Sequence, residues 1–352
     1  MRGTALVAVG LAGLLTLAAC GSGSGGSTPA ASGTSGGNSS ALKVGVAYDV
    51  GGRGDQSFND SAARGLDKEK STGGITVREL AATQGETDAQ KEDRLRQLAE
   101  GGYNPIIAIG FAYAGAVGKV AKDTPDTKFA IIDDFTPGTD TGPNIENLTF
   151  AENEGSFLVG VAAALKSKTG NVGFVGGVDT PLIQKFEVGY IAGVKAVKPA
   201  DTVQVKYISE PPDFGGFNDP AKGETAADGM FDAGADIVYG AAGGSGSGVF
   251  KAAKAKGKLG IGVDSDQYNQ PALADVKDVI LTSMVKQVDL AVTDFIDSIK
   301  ANKFTAGNKV YDLKAGGIQY STSGGKIDDI KAQLEDYKQK IISGQIKVPA
   351  TK

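Results

Sequence analysis

The chain has 352 residues, 41% of them apolar and 52 of them glycine, enough for about two domains of ordinary size. Its net charge of −5 comes without a basic stripe or interleaved aromatic and basic residues, which argues against nucleic-acid binding. It has no histidine, so the commonest general base, the usual zinc ligand and every histidine-dependent triad are excluded.

Residues 1–20, MRGTALVAVGLAGLLTLAAC, run from a short basic start through an apolar stretch to small residues, the pattern of a signal peptide. The end of this stretch, Leu17-Ala18-Ala19-Cys20-Gly21, is similar to a bacterial lipoprotein signal, in which the cysteine becomes the lipid-modified first residue. Cys20 is the sole cysteine, so disulfides and cysteine metal sites are excluded, and the folded part is expected outside the cytoplasm. Residues 21–40, GSGSGGSTPAASGTSGGNSS, have almost nothing to bury and read as a flexible tether. The expectation is a chain anchored to the cell membrane, not spanning it.

From residue 42 short apolar runs alternate with helical patterns. The runs are 42–48, 75–80, 104–110, 128–133, 171–176, 202–208, 235–240, 258–264 and 278–284. Between them, EGSFLVGVAAALKS and KQVDLAVTDFIDSIKAN have apolar spacing near 3.6; in the second, Val288, Ala291, Val292, Phe295 and Ile299 share one face. Continuous apolar strands separated by helices predict parallel sheets covered on both sides. About nine strands exceed one comfortable sheet, so the α/β chain is expected to form two doubly wound lobes within a domain over 41–352. The first lobe is assigned about 42–150 plus 280–303, and the second about 151–279 plus 304–348. KIDDIKAQLEDYKQKIISG reads as an amphipathic closing helix.

Several motifs are missing or weak. There is no P-loop, and AAGGSGSGVF lacks the GxGxxG order of a dinucleotide fold. VDSDQYNQ (263–270) has two acids at i, i+2 but neither the glycine nor the terminal glutamate of a calcium loop. The RGD at 53–55 is a three-residue match inside a glycine-rich turn. No cofactor and no metal are expected.

The unusual polar residues lie just after strands, where open α/β sheets bind ligands. Asp49 leads into DVGGRGDQSFND, with Asp55, Ser57, Phe58 and Asn59. Asp133-Asp134, the loop EPPDFGGFNDP with Phe214 and Phe217, the glycine loop GAAGGSGSG, Asp264 and Lys286 follow later strands. Taken singly, each has a bland reading: the acids as helix caps, the rings as local core, the glycines as tight packing. Together, aromatics, an amide and acids suit a flat, polar-edged, sugar-bearing ligand. An acid-lined cleft repels phosphate, which favours a nucleoside over a nucleotide.

DVGGRGDQSFNDSAARGL resembles the opening signature of the basic membrane protein family, the PnrA-like nucleoside-binding lipoproteins. The likeness continues through AIGFAYAGAV, DTKFAIIDD, AENEGSFLVGVAAALKSKTGNVGFVGG, FNDPAKG, GADIVYGAAGGSGSGVFKAA, GIGVDSDQ and LTSMVKQVDLAV, over about 42–320. The resemblance implies a type I periplasmic-binding-protein fold, with two lobes joined by three crossovers and closing on ligand. It further implies the binding component of an ABC importer, often for purine nucleosides, working with a permease and separate ATPase subunits. By motif, Phe58 and Phe217 would sandwich the base, and Asn59 and Asp133 would read its edge with Asp49 nearby. Asp264 and Lys286 would hold the ribose, while Gly243 and Gly244 would let backbone approach the sugar. A monomer without enzymatic activity is expected. The rival readings are a surface receptor or sensor for a nucleoside or sugar, and an extracytoplasmic nucleoside hydrolase.

Overall fold

The computed structural model describes residues 41–134 and 142–352. The signal peptide, the tether and Cys20 lie outside the described residues.

The first half is a repeating strand–helix pattern. It comprises β1 (Leu42–Tyr48), α1 (Phe58–Ser71), β2 (Ile75–Ala81), α2 (Asp88–Glu100), β3 (Ile106–Ile109), α3 (Ala114–Asp123), β4 (Phe129–Ile132) and β5 (Ile145–Phe150). β3 and β4 read IIAI and FAII and are buried along their whole length, as central parallel strands covered on both faces must be. α2 starts on a Thr87/Gln90 capping box, which satisfies two otherwise orphaned helix-end N–H groups.

The chain then crosses to a second sheet through α4 (Glu152–Lys166) and continues with β6 (Asn171–Val178), α5 (Pro181–Val197), β7 (Thr202–Ser209), α6 (Pro220–Asp232) and β8 (Ile237–Ala241). It goes on through α7 (Gly246–Lys256), β9 (Leu259–Asp264) and β10 (Ile280–Lys286). α4 and α5 pack backbone to backbone: a Cβ on Gly160 would stand 2.3 Å from the Tyr190 carbonyl oxygen, and one on Gly193 2.0 Å from that of Phe157. Any larger residue there would force the helices apart.

α8 (Val288–Lys300) returns to pack on α1, burying Val288, Ala291, Val292, Phe295 and Ile296. Last come β11 (Gly307–Tyr311), β12 (Ile318–Tyr320) and α9 (Lys331–Ile342). The first sheet has the order β11-β5-β4-β3-β1-β2 and is parallel throughout. The second has the order β12-β10-β9-β8-β6-β7, with only β12 antiparallel.

The nine expected strands are present, and three more join them. The expected lobe boundaries need correction at the late crossings. Residues 280–286 do not belong to the first lobe: β10 pairs with β9 in the second sheet, and only α8 crosses back. β11, expected in the second lobe, extends the first sheet beside β5. Both follow from pairing: short turns over 267–279 carry the chain from β9 straight to the neighbouring β10 position, whereas the segment after α8 leads into β11 at the free edge of β5. The lobes are thus joined at three places, after β5, after β10 and between β11 and β12. Among the described residues, no helix is long and apolar enough to cross a membrane.

Candidate functional site

The carboxyl ends of both sheets face one cleft. It is lined from the first lobe by Asp49, Asp55, Phe58, Asn59, Phe111 and Asp133, and from the second by Leu182, Ile183, Phe186, Phe217, Gly243, Asp264 and Lys286. Every predicted ligand-binding residue but one therefore meets here. The exception is Gly244, which lies outside the lining and against Asn218 and the backbone of Asp55.

The loop after β1 explains how Phe58 and Asn59 are presented. Gly51, Gly52 and Gly54 take φ of 99°, 55° and 103°, a left-handed path open to glycine at little cost. Asp55 then accepts hydrogen bonds from the backbone N–H groups of Ser57 (2.9 Å), Asn59 (2.7 Å) and Asp60 (3.0 Å), capping α1 from two residues before Ser57, whose own side chain makes no cap. Helix α1 thus begins on Phe58, whose ring stands in the cleft. The RGD is not a displayed tripeptide, because Arg53 is tied to Asp67 and Glu79 and Asp55 is buried.

Asp133 directly follows β4 and Asp264 ends β9, with φ of 71° and 62°, an uncommon region for residues bearing a Cβ. Both strands spend backbone strain to turn a carboxylate into the cleft. Asp264 Oδ2 accepts from Ser57 Oγ at 2.6 Å, a bond that bridges the lobes. Asp266 instead accepts from Ser321 and Ser323, so the two acids of VDSDQYNQ do not converge.

At the cleft floor lies Lys286, 1% exposed. Its Nζ is 2.5 Å from Asp133 Oδ2 and 3.1 Å from Glu152 Oε1, and 5.0 Å from the ring centres of Phe58 and Phe150. Glu152 Oε2 in turn meets Lys185 Nζ at 2.5 Å. Burial works against the ammonium, but Asp133, Glu152 and Asp264 outweigh it and hold the lysine pKa above its ordinary value. Burial pushes Asp49 up to about 6 and Asp55 and Asp133 up to about 7, and raises Asp264. Carboxylates outnumber the single lysine among the cleft-lining side chains, a field that disfavours phosphate.

Two buried acceptors of the lining, Asn59 Oδ1 and Asp133 Oδ1, receive no hydrogen bond from the described residues. Such atoms are costly unless a ligand or solvent supplies a donor.

Phe217 lines the cleft and Phe214 does not. Phe214 meets Phe111 edge-on between the lobes, with ring centres 5.8 Å apart. Gly177 makes room for Phe217, since a Cβ there would stand 2.4 Å from its ring. The residues that sequence reasoning missed are the apolar wall of Leu182, Ile183 and Phe186, together with Phe111 and Glu152. The wall lies on α5, where an apolar helical face reads as core; its position after β6, at a strand's carboxyl end, was the available signal.

The family model described as ABC transporter substrate-binding protein PnrA-like matches residues 42–352. The chain is 39% identical over 326 residues to the CD4+ T-cell-stimulating antigen of Listeria monocytogenes, covering 87% of each. It is 36% identical over 369 residues to the ABC transporter nucleoside-binding protein BmpA of Lactococcus lactis, covering 99% of each. Among solved structures, an ABC transporter solute-binding protein from Aeropyrum pernix superimposes with a TM-score of 0.75 at 30% identity, over 88% of this chain and 94% of that one. The two-lobed architecture is that of the type I periplasmic solute-binding proteins. The chain belongs to the PnrA-like family of ABC transporter substrate-binding proteins.

Proposed function

We propose that this protein is the lipid-anchored binding component of an ABC importer and that its cargo is a purine nucleoside. The observation that carries the reading is the cleft itself: Phe58 and Phe217 in one lining with an acid-rich floor around Lys286. The two phenylalanines hold the base between them, gaining about 1–3 kcal/mol per stacked face. Asn59 and Asp133 meet the base edge, with Asp49 beside them. Asp264 and Lys286 bind the ribose hydroxyls by charge-assisted hydrogen bonds, and the backbone at Gly243 and Gly244 lets the sugar come close. The nucleoside-binding name of the Lactococcus relative supports the cargo class.

Cargo stabilises the closed lobes because it touches both, a population shift driven by differential affinity. The closed monomer docks on a membrane permease served by separate ATPase subunits. Cys20 carries the lipid that keeps the protein on the outer face of the cell membrane. No chemistry is done on the cargo.

Calorimetry with inosine, guanosine, adenosine and their 5′-monophosphates tests this reading. Nucleosides should bind and the monophosphates should be at least about 100-fold weaker, given the acid-rich floor. Absence of binding by any nucleoside refutes the cargo, and release of free base on incubation refutes the binding-only role.

A further inference from the structure

We propose that Asp55 locks Asn59 as a one-way acceptor, so that the cleft selects nucleosides whose base turns a hydrogen-bond donor toward it. The inference rests on the nucleoside reading above and assigns to Asp55 the polarity of the recognition edge.

Asp55 is buried, 7% exposed. Oδ1 accepts from the backbone N–H of Ser57 and Asp60, and Oδ2 from the backbone N–H of Asn59. These bonds cap α1, so the carboxylate cannot rotate without uncovering the helix end. Oδ2 also accepts from Asn59 Nδ2 at 3.1 Å, and the same Nδ2 lies 3.5 Å from the Val50 carbonyl oxygen. With Asp55 ionised, both neighbours of that end of the amide are acceptors only. Turning the amide over would set its oxygen against a carboxylate and a carbonyl, so the nitrogen end is fixed.

What remains for the cleft is Asn59 Oδ1, buried and receiving no protein donor. Its place in the cleft lining opens this acceptor to a donor from the cargo. Asp133 repeats the pattern: Oδ2 takes Lys286, and Oδ1 has no donor from the protein. The first-lobe wall therefore offers two acceptors that want N–H groups. Guanine and hypoxanthine have N1–H, guanine adds a 2-amino group, and adenine has a 6-amino group. Purine riboside keeps the ring system and the ribose but carries no N–H on its base.

Calorimetry on the full chain with guanosine, inosine, adenosine and purine riboside tests the proposal. Purine riboside should bind at least about 10-fold more weakly than the best of the other three, as expected when buried acceptors stay unpaired. Equal affinity overturns the inference while leaving the nucleoside reading intact. Absence of binding by all four overturns both. Asp55→Asn, with loss of the cap hydrogen bond from the Asn59 backbone N–H, places an amide where it can donate to Asn59 Oδ1 and turn the Asn59 nitrogen toward the cargo. The ratio of best ligand to purine riboside should then collapse toward one. A parallel loss for all four compounds makes Asp55 merely structural and overturns its role. Should that variant fail to fold by circular dichroism, Asn59→Leu removes the acceptor at similar volume. An unchanged ratio in Asn59→Leu overturns the proposal.

Discussion

Replacing Lys286 by methionine removes the cation that, among the described residues, touches Asp133, while keeping most of the side-chain volume. Glu152 retains Lys185 at 2.5 Å, so the loss falls on Asp133, whose two oxygens would then have no protein donor. Stranding a buried carboxylate costs about 3–5 kcal/mol. For a chain of this size, at about 2–4 °C per kcal/mol, the melting temperature should fall by roughly 6–20 °C at pH 8. The sign with pH follows from Asp133, which burial pushes up to about 7 even with the lysine in place. A carboxyl whose folded pKa is raised binds its proton more readily folded than unfolded, so its penalty is full above that pKa and fades as pH falls. The gap between wild type and Lys286→Met should therefore be largest at pH 8 and shrink at pH 5.5. Thermal unfolding followed by circular dichroism at the two pH values reads this directly. Equal gaps at both pH values, or no gap at pH 8, would refute the reasoning.

Phe58→Ala and Asp264→Ala should each weaken nucleoside binding about 5- to 150-fold, the range of 1–3 kcal/mol, with the fold intact by circular dichroism; unchanged affinity in calorimetry removes both from the site. Gly177→Ala should push the Phe217 ring into the cleft, since the new methyl carbon would lie 2.4 Å from it; affinity should drop although residue 177 is not part of the cleft lining, and a wild-type isotherm would contradict the packing argument. Asp49, pushed up to about 6 from an ordinary 3.8, costs stability once ionised. Asp49→Asn should then gain on wild type by on the order of 2 kcal/mol between pH 5 and pH 8, and a melting-temperature difference that is constant with pH would count against it.

Much of the site was legible because α/β sheets gather their strand ends at one place. Asp49, Asp133, Asp264 and Lys286 follow apolar runs directly, and strand parity needs no long-range knowledge to set them on one rim. The fold class followed from the same runs. What stayed hidden depends on how distant pieces approach. Glu152 reads as a helix-start acid, and only the crossover after β5 brings it to Lys286. Phe186 reads as core because one helical face serves both core and cleft. β11 (GNKVY) has no apolar run at all; it is a largely exposed edge strand held by its pairing with β5. The lobe of β10 turned on which neighbouring strand its backbone joined, a choice that local pattern does not encode. Phe214 and Phe217 are chemically alike, and the room that Gly177 leaves beside Phe217 depends on a strand distant in sequence.

The edge-on contact of Phe111 with Phe214 joins the two lobes beside the cleft, and the hydrogen bond from Ser57 Oγ to Asp264 Oδ2 joins them within it. Contacts of this kind hold only while the lobes are together, so they favour the closed state even without ligand. Weakening the ring contact would shift the empty protein toward the open state and lower the apparent affinity for any ligand that needs both lobes, without altering a polar contact.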